Sequence, residues 1–452
     1  MVSPMPMPPS RTADSVDLAP LLDAGRWTGY QKWLVLLTAI TVVSDGIDNQ
    51  LLGVSIPTMM KEWSVPRGAF SSVIALGYFG MMLGGAAAGL AGDRFGRRTA
   101  LLSSMIVFGV ATLGAAFVHS TGTLGVLRFL AGLGLGGAIP NAAALAAEYV
   151  PKPWRSIAVT LTIVCVPLGA TIAGLLGSQV LAHAGWRLLF EIGGAAPLVL
   201  AALLGFLLPE SPRYLARHAS RRPELIRVLR RMGHAIGDDA VITDLSERAA
   251  PRAPLAALFH PALRRDTLAL WGSFVTCLLT VYLGFSWLPT VMTGAGFTSA
   301  VASSAITAFN LGGVVGAICG GLAFSRVGSR VAMLVMAAGA IAGAVALSLM
   351  TIEANMARLP LFALLTLTGG LINAVQTTMY ALATHLYGSA IRATGTGVAV
   401  SVGRVGAVLS GYAGAWILDY GGSAAFFALM AGTMAISFVM LSNVRRHVPA
   451  TR

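Results

Sequence analysis

Gly92-Asp93-Arg94-Phe95-Gly96-Arg97-Arg98 stands between two long apolar runs, and its Arg–Gly–Arg spacing returns in Phe324-Ser325-Arg326-Val327-Gly328-Ser329-Arg330. A second echo follows: Glu148 precedes Arg155 by seven residues, and His385 precedes Arg392 by seven. Basic loops that recur in order across both halves of a chain indicate an internal duplication. The apolar runs around them are the units that were duplicated. Only 11% of the 452 residues are charged, 56% are hydrophobic, and the mean hydropathy is +0.76. Soluble domains carry about 25% charged residues. So few charges cannot build a water-facing surface, and much of the surface must face lipid. The 53 glycines suit helices whose backbones approach closely in a bilayer.

A span needs about 20 mainly apolar residues. Twelve such runs lie near 31–56, 70–91, 99–118, 123–147, 156–182, 187–208, 267–292, 300–323, 331–351, 358–384, 393–418 and 423–442. Barrel strands would be shorter and would alternate in polarity. The predicted fold is therefore an all-α membrane protein of about 12 transmembrane helices in two six-helix bundles. The domains are an arm at 1–30, a first bundle at 31–208, a central loop at 209–266, a second bundle at 267–442 and a tail at 443–452. Of the 31 Lys and Arg, 25 fall on the side that carries both termini. Lys61, Arg67, Arg187 and Arg358 fall on the other side, and Arg128 and Arg404 lie within spans. Without the long central loop the balance is still 14 to four, which puts both termini in the cytoplasm. A bacterial cytoplasmic membrane is the expected location, with a monomer in the lipid bilayer.

The net charge of +13 is spread between apolar runs, which argues against a nucleic-acid partner. Residues 1–30 lack an apolar core segment, so no cleavable signal is expected and the arm reads as mostly disordered. In the central loop, Glu224-Leu225-Ile226-Arg227-Val228-Leu229-Arg230-Arg231 reads as an amphipathic helix on the cytoplasmic surface or as a solvated basic linker. Cys165, Cys277 and Cys319 all fall in apolar runs, without metal-ligand spacing or a disulfide framework. No cofactor is expected, the proton serving as coupling ion.

Asp45 and Asp48 lie inside the first apolar run. A charge near the bilayer centre costs about 2.5–3.5 kcal/mol even on the lenient insertion scale, so two acids there need a reason. Three residues apart, they share one helix face, about 60° from each other. One of them is suited to bind and release a proton; the alternative is a pair locked permanently by Arg128. Arg128 and Arg404 offer planar, always-charged forks to a carboxylate. Arg404 could instead be a structural cation bonded to carbonyl groups. Tyr282, Trp287, Asn310, Asn373, Gln376 and Tyr380 are candidates to line a cavity, with aromatic faces to stack on a ring. Each could equally serve helix packing or interface anchoring.

The stretch at 92–98 resembles the loop signature of the major facilitator superfamily. In that family the loop joins the next cytoplasmic loop in a charge network that forms in one conformation and releases in another. The resemblance implies a gating network of Asp93, Arg94, Arg97, Arg98, Glu148 and Arg155, with Glu148 and Arg155 as natural partners. The second-half counterpart is Arg326, Arg330, His385 and Arg392. Ser325 stands where family members often place Asp, so that copy departs from the pattern. Asp45-Gly46-Ile47-Asp48, the glycine-rich run from Arg128 to Asn141, Ser286-Trp287-Leu288-Pro289-Thr290, Ile391-Arg392-Ala393-Thr394-Gly395 and Val402-Gly403-Arg404 look like the aromatic acid:proton symporters of the superfamily. Resemblance to proton-coupled sugar porters pairs Arg128 with Asp48 and leaves Arg404 for the substrate anion. The implied activity is proton-coupled uptake of a benzoate- or hydroxybenzoate-like acid by alternating access. Alternatives are another organic anion such as a dicarboxylate or ring-cleavage product, a drug:proton antiporter, or a sugar porter. Neither HExxH, GxSxG nor a Cys/His cluster is present to suggest an enzyme, and no loop is long enough for a receptor's signalling domain.

Overall fold

Polar caps set where several helices begin. Thr28 and Gln31 close a capping box at Gly29–Trp63, and Ser120 and Thr298 each accept from the third backbone N–H of the helix they precede. The computed structural model describes residues 15–237, 240–243, 255–387 and 391–450. In chain order its helices are α1 (Leu18–Asp23), α2 (Gly29–Trp63), α3 (Ala69–Phe95), α4 (Arg97–Ala115), α5 (Thr121–Tyr149), α6 (Arg155–Val180), α7 (Gly185–Leu207), α8 (Pro212–Ala216), α9 (Arg222–Arg231), α10 (Pro261–Gly294), α11 (Ser299–Val327), α12 (Ser329–Leu349), α13 (Arg358–Leu386) and α14 (Arg392–Asn443). Eleven of the described helices are long and apolar enough to cross a membrane. The last, α14, is 52 residues long and breaks at Gly421 (φ −152°, ψ 21°) and Gly422 (φ 59°, ψ −146°). It therefore supplies two spans, which makes twelve among the described residues. Large apolar side chains such as Phe206 and Leu349 point outward, where acyl chains lie.

The two halves pack by one rule. Gly80 and Gly84 of α3 press on the carbonyls of Phe129 and Leu133 on α5. At an offset of 232 residues, Gly312 and Gly316 of α11 press on those of Thr366 and Gly370 on α13. A Cβ at any of the four would fall inside the neighbouring backbone, so these helices meet backbone to backbone. The Arg–Gly–Arg loops repeat at the same offset, and Gly96 (φ 102°) and Gly328 (φ 89°) both take the left-handed turn that opens the next helix. The halves meet along α2–α10, α3–α14 and α6–α11. On the face opposite the termini, here the far face, Arg67 joins Asp419 at 3.1 Å.

The face that carries the termini departs from expectation. Ser15–Asp17 (β1) pairs in parallel with Val241–Thr243 (β2). Leu18 and Leu22 of α1 are buried with Leu215 of α8, Leu225, Ile226, Val228 and Leu229 of α9, and Met232. The end of the arm and the central loop thus form a small second core. The amphipathic pattern of α9 was legible, but its apolar face meets α1 rather than a lipid surface or water. Residues 1–14 of the arm lie outside the described residues. In the second half, the tail docks on the loop between α11 and α12. Ser329 N donates to the Val448 carbonyl at 3.0 Å, and Val448 N donates to Ser329 Oγ at 2.8 Å. His447 Nδ1 lies 3.0 Å from the same hydroxyl, and burial with the neighbouring Arg330 holds this imidazole below its ordinary value.

Candidate transport site

Asp48 and Arg128 are buried together in the first half. Arg128 Nη2 lies 3.2 Å from Asp48 Oδ1, and Nη1 lies 3.3 Å from Oδ2. Thr112 of α4 completes the group: its hydroxyl accepts from Arg128 Nη2 at 2.6 Å and donates to Asp48. The Arg128 guanidinium also lies over the Phe190 ring, 5.4 Å from its centroid. Both carboxylate oxygens therefore have partners within the group, and the two charges lie against each other. This is the pairing that the resemblance implied.

Asp45, one turn earlier on α2, is different. It is 0% exposed, and neither of its oxygens has a hydrogen-bond partner among the described residues. A buried acid without partners is costly, so its place calls for a functional reason. Arg404 of α14 is close enough to act electrostatically on Asp45, Tyr282 and Tyr380. Its guanidinium donates to the Met81 carbonyl of α3, so it also bridges the halves. Asn49 and Gln376 face the hydroxyls of Tyr282 and Tyr380. The Tyr78 ring lies 4.4 Å from that of Tyr282, and Phe285 meets Tyr282 edge-on at 5.7 Å. An acid, a cation and aromatic walls thus come together where the two halves meet.

On the terminal face, Asp93 bonds to Arg97, and Arg97 Nε lies 3.9 Å from Glu148. Glu148 also accepts from the Ser211 hydroxyl. Of the two partners expected for this loop, Glu148 thus joins it, while Arg155 is held elsewhere. It pairs with Asp23 at 2.5 Å and donates to the Ala147 carbonyl at 3.0 Å, because the folded arm brings Asp23 to the end of α6. Arg94 packs over Phe95 at 5.3 Å. Arg98 donates to the Gly205 carbonyl, and its backbone N–H donates to Glu210 Oε1 at 2.9 Å. Arg326, Arg330 and His385 are exposed on the second half, and the Arg392 side chain lies outside the described residues.

The Major Facilitator Superfamily profile matches residues 38–374. This chain belongs to that superfamily. A gallate transporter of Pseudomonas putida is 31% identical over 439 residues, covering 96% of this chain and 97% of its own. The 4-hydroxybenzoate transporter PcaK of the same species is 32% identical over 90% of each chain. The benzoate transport protein of Acinetobacter baylyi is 29% identical over 89% of this chain and 87% of its own. Among solved structures, the partially occluded inward-open xylose transporter XylE from E. coli shares the fold. It has a TM-score of 0.73 at 14% identity, over 93% of this chain and 99% of its own. As a major facilitator, the chain is a multi-pass membrane transporter and not an enzyme.

Within this major facilitator, three of the side chains singled out as cavity-lining serve other ends. Trp287 is wholly buried between α10 and α14; its indole N–H donates to the Ser410 carbonyl at 3.0 Å, and Gly414 makes room for the ring. Asn373 donates back to the Gly369 carbonyl of its own helix, 2.9 Å away, and packs on Gly313. Asn310 reaches Gln50 of the other half at 3.2 Å. Four contributors went unseen in the sequence: Thr112, Tyr78, Asn49 and Gln50. A lone Thr or Tyr in an apolar run carries no signal until its neighbour across the interface is known.

Glu210 is a further residue that the sequence did not single out. It is fully buried, accepts from the backbone N–H of Arg98 and of Ser211, each at 2.9 Å, and thereby caps the start of α4. Glu210→Ala should lower the stability of the purified protein by about 1.5–3 kcal/mol, the worth of hydrogen bonds to a charged group. Glu210→Gln, which keeps an accepting oxygen, should cost less. Thermal unfolding in detergent measures both, and wild-type melting of the Ala variant would show that the carboxylate does not hold this loop.

Proposed function

We propose that the chain takes up an aromatic carboxylate together with protons by alternating access between its two bundles, with both termini in the cytoplasm of a bacterial cell. The observation that carries this reading is the buried, unpartnered Asp45 beside Arg404 at the meeting of the halves. An ionised Asp45 competes with a substrate carboxylate for Arg404. A protonated Asp45 leaves the guanidinium to the substrate, so that proton and anion are bound together. Asp48, Thr112 and Arg128 form the neighbouring charge pair, and Tyr78, Tyr282, Tyr380 and Gln376 offer faces and hydrogen bonds to a ring. The names of the full-length relatives support an aromatic acid. The cavity beside Arg128, Tyr78 and Asn49 holds about 30 Å³, room for about one water. That cavity is too small for a ring in this conformation.

The test is uptake into proteoliposomes with an inward proton gradient. Labelled gallate, 4-hydroxybenzoate and benzoate are compared with an aliphatic dicarboxylate. Accumulation of an aromatic acid that a protonophore abolishes is the expected result. Accumulation that survives the protonophore would remove the proton from the mechanism, and preference for the dicarboxylate would replace the substrate class.

A further inference from the structure

In an α-helix the carbonyl of one residue accepts from the N–H four residues later. In α10 the carbonyl of Phe285 has no such donor, because the residue four places on is Pro289. The missing hydrogen bond comes from the other half of the protein: Gln50 Nε2 of α2 donates to the Phe285 oxygen at 2.8 Å. The Gln50 oxygen in turn accepts from Asn310 Nδ2 of α11 at 3.2 Å. One turn further along α2, Gly53 lies against the same carbonyl and the Cα of Ser286, leaving no space for a side chain. Tyr78 of α3 meets the Ser286 hydroxyl at 2.9 Å. Pro57 stands 232 residues before Pro289, the offset of the duplication, so Gly53 is the counterpart of Phe285. Two proline-freed turns of the duplicated helices thus face each other across the pseudo-twofold axis, and Gln50 fastens them.

We infer that Gln50 is a positioning residue of the transport cycle, a latch that holds the far face shut by supplying the hydrogen bond that Pro289 denies to Phe285. All of these groups are buried, so separating the halves without water would strand an amide and a carbonyl. Opening of the far face admits water to both, which makes the latch reversible. The inference requires only that the halves rock apart; the identity of the substrate and the coupling ion do not enter it.

The experiment reads a distance across the far face of the full chain in lipid nanodiscs. Spin labels are placed at Gly122→Cys and Gly294→Cys, where an added side chain meets open space, with Cys165, Cys277 and Cys319 replaced by Ala. One net hydrogen bond is worth about a 2- to 12-fold change in an equilibrium. Gln50→Leu should raise the ratio of long to short distances by about that factor. Pro289→Ala alone, which gives Phe285 a donor within its own helix, should shift the ratio the same way by competing with Gln50. In the Gln50→Leu background the same Pro289→Ala change should restore short distances, because it satisfies the stranded carbonyl. Gly53→Ala keeps Gln50 but wedges α2 away from Phe285, and should lengthen the distance even if Gln50→Leu does not fold. Wild-type distances in both Gln50→Leu and Gly53→Ala would overturn the latch. So would a Pro289→Ala change that opens both backgrounds equally, since it would mean that Gln50 does not act through the Phe285 carbonyl.

Discussion

Asp45→Asn is expected to abolish accumulation of substrate against a gradient while leaving counterflow exchange largely intact. The reason lies in the contrast between the two acids of α2. Asp45 has no hydrogen-bond partner among the described residues, so a neutral amide of the same shape removes a titrating group and breaks no pair. Asp48 is held by Arg128 and Thr112. Removing one member of a buried ion pair leaves the other uncompensated and costs about 3–5 kcal/mol. Asp48→Asn should therefore lower the melting temperature markedly as well as impair transport, whereas Asp45→Asn should melt close to wild type. Uptake and counterflow in proteoliposomes, with thermal unfolding of the same preparations, separate the two. Undiminished accumulation by Asp45→Asn would move the proton to another group.

Arg404→Ala should weaken binding of the aromatic acid by about 10- to 150-fold, the equivalent of about 1.5–3 kcal/mol for hydrogen bonds to a charged group. Arg404→Lys keeps the charge and loses the fork, and should fall between. Because Arg404 also donates to the Met81 carbonyl, part of any loss could come from a loosened contact between α14 and α3. The neutral amide analogue of the substrate discriminates. It should bind weakly to wild type and respond little to the substitution. Equilibrium binding of acid and amide to wild type and Arg404→Ala decides the matter. Equal losses for both ligands would assign Arg404 to holding the bundles and not to reading the carboxylate.

Much of the architecture could be read from the chain because a bilayer imposes one length on every span. The two spans of α14 illustrate this: two runs of apolar residues with Gly421-Gly422 between them were countable as two, and the helix breaks at that pair. The Asp48–Arg128 pair was within reach only through the resemblance to sugar porters, since charge alone left two acids and two arginines inside the spans. Loop partners were not. The resemblance placed Arg155 with the loop at 92–98, yet it meets Asp23 because α1 folds against α9, a contact that no local pattern announces. Trp287 and Asn373 looked like lining residues because polarity and size do not reveal which way a helix turns. Their neighbours Gly414 and Gly313 show that both fill gaps between helices.

The pairing of Ser15–Asp17 with Val241–Thr243 has a consequence for the making of the protein. Ser15 aligns with Val241, so the ribosome must add 226 residues after the first strand before its partner exists. At about 5–20 residues per second this is roughly 11–45 s. Throughout that interval six hydrophobic segments can enter the membrane, while Leu18 and Leu22 lack the cover that α8 and α9 give them. Residues 15–22 thus precede α2–α7 in synthesis but can fold only after them, and a chain stalled before the central loop leaves this apolar stretch uncovered.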